Sequence, residues 1–62
     1  MSTKQIRINA MAKVRGEVKE YFKEVVKQFN AEGQYGTAET QKGIGKTVLS
    51  VIDDVMTIER NK

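Results

Sequence analysis

The sequence predicts a mainly α fold: two amphipathic helices in an antiparallel hairpin, forming one small domain over residues 1–62. Three observations carry that expectation. Apolar residues at 11, 14, 18, 21, 22, 25, 26 and 29 recur at helical spacing and fill one arc about 140° wide. A second run, Ile44, Val48, Val51, Val55 and Ile58, steps by four, three, four and three, which is the spacing of a heptad seam. Between the two, Asn30-Ala31-Glu32-Gly33 has the form of a helix end, with Gly33 free to take a positive φ.

Residues 1–3 are expected to be flexible. Lys4-Gln5-Ile6-Arg7-Ile8-Asn9 alternates polar and apolar side chains. As a strand it sets Ile6 and Ile8 on one side and Gln5, Arg7 and Asn9 on the other. A lone strand of this length is unstable, so its partner would be the same segment of a second copy, paired antiparallel across a two-fold axis. The alternative is that Ile8 and Met11 begin the helix early. With the strand, Asn9 caps a first helix over about 10–31. Its flanks carry Lys19, Lys23 and Lys27 against Glu17, Glu20 and Glu24, with Glu20–Lys23 and Glu24–Lys27 as ion-pair candidates. Tyr21, Phe22 and Phe29 fall on its apolar stripe and are expected in the core.

The loop is expected over about 32–37 and the second helix over about 38–60, with Thr37 as its cap and Glu39 in its first turn. Gly43 and Gly45 predict fraying or a bend there. Leu49, Ile52 and Met56 widen the apolar seam to roughly half of the helix circumference, more than one partner helix covers. A homodimer or higher homo-oligomer closes that surface, with Ile6, Ile8, Val48, Val51, Ile52, Val55, Met56 and Ile58 at its interface. The β-branched residues of this stretch leave a hairpin of strands 48–52 and 55–59 as the competing arrangement, against which the heptad spacing argues.

The composition narrows the function. A chain this short buries only about 60% of its unfolded surface. It has no cysteine and no histidine, so neither a disulfide nor a histidine–cysteine zinc site can staple it. No cofactor and no small-molecule substrate are expected. Without a histidine to activate Ser50, and with Asp53 and Asp54 diverging by about 100° on a helix, no catalytic constellation is visible. No signal peptide and no membrane-spanning run are apparent, and the expected location is cytoplasmic. The net charge is +3, and residues 1–15 carry Lys4, Arg7, Lys13 and Arg15 with no acidic residue.

Gly43-Ile44-Gly45-Lys46-Thr47 is like the tail of a phosphate-binding loop, but Thr40 stands where the first glycine belongs. A milder use is backbone N–H groups near Gly43 and Gly45, flanked by Lys42 and Lys46, holding one phosphate of a nucleic acid.

Gln5, Arg7 and Asn9 are side-chain types that read base edges, and paired strands fit the major groove. The order of an alternating strand, a helix, a loop and a second helix resembles the ribbon–helix–helix family of DNA-binding proteins. The resemblance implies strands paired between two chains, base reading by Gln5, Arg7 and Asn9, and a phosphate beside the start of the second helix, around Thr37 or around residues 43–46. It makes the chain a small homodimeric, regulatory protein that binds double-stranded DNA. The breadth of the second stripe supports a different function, a non-enzymatic hairpin that docks onto itself or onto a protein partner.

Overall fold

The computed structural model describes residues 2–62. It contains α1 (Thr3–Ala31) and α2 (Tyr35–Arg60), with no strand among the described residues. Arg7 meets Glu59, Arg15 meets Asp53 and Phe22 meets Gly45, so the helices run antiparallel over their full length. The hairpin is a flat slab of 47 × 16 × 7 Å.

α1 starts two turns earlier than expected, and the strand over residues 4–9 is not formed. Ser2 is the cap instead of Asn9: its Oγ accepts the Gln5 N–H at 3.1 Å, and its carbonyl accepts the Ile6 N–H at 3.0 Å. Alternation in 4–9 favours a strand only where a second strand completes its hydrogen bonds, and the chain offers none. As a helix the segment satisfies those groups locally. It also brings Ile8 into heptad step with Met11 and Arg15, on the side towards α2. Of the end expected to be flexible, Met1 lies outside the described residues, while Ser2 and Thr3 cap and open α1.

The turn is shorter than the expected 32–37. The Gln34 N–H donates to the Phe29 carbonyl at 2.8 Å and the Gly33 N–H to the Asn30 carbonyl at 3.1 Å, with Gly33 at φ 77°. This is a complete Schellman closure, and it uses Gly33 as expected. Because the closure satisfies the end of α1 so tightly, α2 opens at once. The Ala38 N–H already donates to the Gln34 carbonyl at 3.0 Å, so Thr37 lies inside the helix and is not its cap.

α2 passes through Gly43 and Gly45 without a break, and the competing strand pair over 48–59 is not formed. Gly45 faces α1: a Cβ there would lie 2.9 Å from Phe22 Cγ and 3.0 Å from its Cβ. Glycine lets the helices approach at this level. It also turns α2, so that the seam runs through Ala38, Gln41, Gly45, Val48, Ile52, Met56 and Glu59 instead of the expected Ile44, Val51, Val55 and Ile58. The matching line on α1 is Ile8, Met11, Arg15, Val18, Phe22, Val25 and Phe29, a strict three–four alternation.

The core is thin. Ala38, Ile52 and Met56 are its buried apolar side chains, and α1 has no buried residue. Phe22 and Phe29 are half-buried, but Tyr21, expected in the core, is 61% exposed. The expected ion pairs along α1 are also not made; Glu24 accepts a hydrogen bond from Gln28 instead.

Candidate interaction surface

The rotation of α2 about Gly45 decides which apolar residues remain outside. Ile44, Val51 and Ile58 repeat every seven residues and are exposed, as is Val55; Val48 lies between them and is half-buried. On α1, Val14 and Tyr21 repeat at seven and are exposed, with Val18 and Val25 half-buried beside them. Tyr21 and Val25 meet Gln41 across the groove on this side. Arg7, seven residues before Val14, meets Val55 across the same side further along. The two stripes therefore share one broad face of the slab. Along its middle, from Val14 on α1 and from Gln41 to Ile58 on α2, its positions carry no charge, while Glu32 lines it at the turn end and Arg7 and Glu59 at the other.

The opposite face differs in chemistry. Phe22, Val26, Gly45 and Leu49 floor a groove of about 300 Å³ whose walls include Lys23, Lys42, Lys46 and Glu39. Lys19 stands one turn before Lys23. None of these four lysines is in an ion pair among the described residues.

The ion pairs among the described residues clamp the end of the hairpin away from the turn. Arg15 Nε donates to Asp53 Oδ1 at 2.7 Å and Nη2 to Oδ2 at 3.4 Å. Arg7 Nη1 donates to Glu59 Oε1 at 3.2 Å, and Lys62 Nζ reaches Glu59 Oε2 at 3.3 Å. The Arg15 hydrogen bond holds the Asp53 carboxyl below its ordinary range and raises the guanidinium. The bonds from Lys62 and then Arg7 do the same to Glu59. A carboxylate lowered on folding stabilises the fold above its ordinary range and loses that contribution as pH falls through the lowered value. The thermal midpoint by circular dichroism is therefore expected to fall on acidification from about pH 5 downwards. An Asp53→Asn/Glu59→Gln variant should show a flatter acid limb; an unchanged limb would mean that these clamps contribute nothing.

The residues expected to bind nucleic acid are not brought together. Gln5 Nε2 donates to Asn9 Oδ1 at 2.8 Å along one side of α1, while Arg7 points to Glu59. Helical geometry removes the single outward face that a strand would have given them. The amides of Gly43 and Gly45 lie within a continuous helix, so no phosphate cradle forms there, and Gly45 is buried. Lys42 and Lys46 remain exposed, one turn apart.

The residues expected at the oligomer interface divide into two groups. Ile52 and Met56 are buried within the hairpin and Ile8 is half-buried against α2, so all three are used inside one chain. Val48, Val51, Val55 and Ile58 belong to the uncharged face. Ile6 is exposed, but it keeps heptad step with Lys13 and Glu20 on the outer side of α1. Val14, Tyr21 and Ile44 were not expected at the interface, although the seven-residue repeats that place them there are present in the sequence. No helix among the described residues is long and apolar enough to cross a membrane. A scan of protein-family models finds no match, and searches of curated proteins and of solved structures return no similar chain.

Proposed function

We propose that this chain is a non-enzymatic, helical-hairpin protein–protein interaction module whose docking surface is the uncharged face of Val14, Tyr21, Ile44, Val51, Val55 and Ile58. One observation carries the reading: among the described residues, six of the eight large exposed apolar side chains, all but Ile6 and Tyr35, fall on this single repeating face, while the buried apolar core is three side chains. Scattered surface apolar residues are ordinary; a contiguous uncharged face is what docking surfaces have.

Because the chain has no cysteine, thiol labelling reads this directly. In producing cells, Val51→Cys is expected to react with a soluble maleimide much more slowly than Lys27→Cys, each normalised to its own denatured protein. Equal normalised rates would mean that nothing covers the face.

A second reading is binding of double-stranded DNA by a small regulatory protein, and the cluster of Lys19, Lys23, Lys42 and Lys46 favours it. On this reading the contacts are to phosphates, and the faces of Gln5, Arg7 and Asn9 would serve only if residues 4–9 left the helix. Sedimentation with a mixed duplex should then show a complex at about 50 mM salt that releases at about 200 mM. Lys42→Ala/Lys46→Ala should weaken it and lower the salt slope by about two. An absence of co-sedimentation at the lower salt discards this reading.

A further inference from the structure

We infer that the occupant of the uncharged face is a second copy of this chain, laid face to face about a two-fold axis along the helices to form a four-helix bundle. The inference rests on the interaction-module reading and names its partner.

Three features point to a copy. The first is area. The chain exposes 4648 Å², against about 4000 Å² for a compact monomer of its 7.0 kDa mass. The slab measures 47 × 16 Å across its Cα atoms, a footprint of the same order as the ~800 Å² that each partner buries in a stable interface. The second is the incomplete core. Val18, Val25 and Val48 are half-buried at the edge of the seam, and a second slab would finish burying them as the next layer of one core. The third is self-match. The uncharged middle of the face meets its own copy with no like charges opposed there, and its seven-residue repeats on both helices suit the shallow crossing of helices in a bundle.

The axis follows from the flanks. Glu17 and Glu24, three residues beyond Val14 and Tyr21, edge the face on α1. Thr40 and Thr47 edge it on α2. An axis across the helices would set α1 against α1 and oppose the two glutamate rows. An axis along the helices sets α1 against α2, which places each glutamate row beside threonines and keeps neighbouring helices antiparallel. Both turns then lie at the same end.

The test combines sedimentation equilibrium with cross-linking of the full chain. Wild type is expected at twice 7.0 kDa, and Val51→Glu/Val55→Glu is expected to dimerise at least about a hundredfold more weakly, since two unpaired charges per copy would be buried. Gly36→Cys, where an added Cβ meets nothing within 4 Å, should be joined across the dimer by a short bis-maleimide. That variant leaves the face intact, so it reports the arrangement even if the glutamate variant unfolds. A dimer that does not cross-link overturns the axis along the helices. A folded wild-type monomer overturns the second copy but spares the module, whose partner would then be a different protein. A dimer that keeps both its helicity and its affinity with Val51→Glu/Val55→Glu overturns this inference and the assignment of the face together.

Discussion

Replacing Gly45 with valine is expected to destabilise the hairpin by about 3 kcal/mol, the upper range for forcing extra carbon into a packed contact. Even Gly45→Ala, which gains about 1 kcal/mol of helix propensity, should be net destabilising. Its new methyl would fall 2.9 Å from Phe22 Cγ, and the next atom it meets is Phe22 Cβ at 3.0 Å. A χ1 rotation could withdraw Cγ but not Cβ, which is fixed to the backbone of α1, so the helices themselves must separate. Gly43→Ala, two residues away, is the control: nothing lies within 4 Å of its Cβ position, and it should stabilise by about 1 kcal/mol. Urea denaturation followed at 222 nm would read both. In a Phe22→Ala background the penalty at position 45 should shrink or reverse. If Gly45→Ala stabilises the wild-type chain as Gly43→Ala does, close approach at Phe22 is not what orients α2.

That orientation explains what the sequence made legible and what it did not. The two helices, the glycine turn and the hairpin were readable because each rests on local rules: a 3.6-residue period, and a left-handed glycine closing α1. The face of α2 turned towards α1 was not. Residues 44–59 hold two overlapping heptad stripes, Ile44-Val51-Ile58 and Gly45-Ile52-Glu59. Hydrophobicity alone favours the first. The second wins because a glycine in a seam gives close backbone approach, a benefit that a count of apolar residues scores as a loss. The start of α1 escaped for a related reason. Residues 4–9 alternate as a strand does, yet Ile8, Met11 and Arg15 also keep helical step, and the tie is broken by long-range partners. Arg7 and Arg15 find Glu59 and Asp53, residues 52 and 38 positions away. No spacing rule links them. The candidate face was partly visible: Val48, Val51, Val55 and Ile58 were expected at an interface, while Ile52 and Met56 were assigned there although the hairpin itself buries them.

The neighbours Val51 and Ile52 should separate the two layers of this architecture. Ile52 is 8% exposed and belongs to the core of the hairpin; Val51 is 56% exposed and belongs to the outer face. Ile52→Ala removes one of three buried apolar side chains, and a loss of about 3 kcal/mol is typical of such truncations. A domain this small has little stability beyond that, so the variant should be largely unfolded at room temperature, with low helicity at every concentration where the single chain is the unit that folds. Val51→Ala leaves the seam untouched and increases helix propensity. Its thermal midpoint should therefore fall below wild type only where copies associate, and that deficit should disappear on dilution below the dissociation range, leaving at most the small rise that helix propensity gives. Circular dichroism melts across a hundredfold dilution series would show the contrast. A concentration-independent loss from Val51→Ala comparable to that from Ile52→Ala would mean that residue 51 lies in the hairpin core and that α2 is turned the other way.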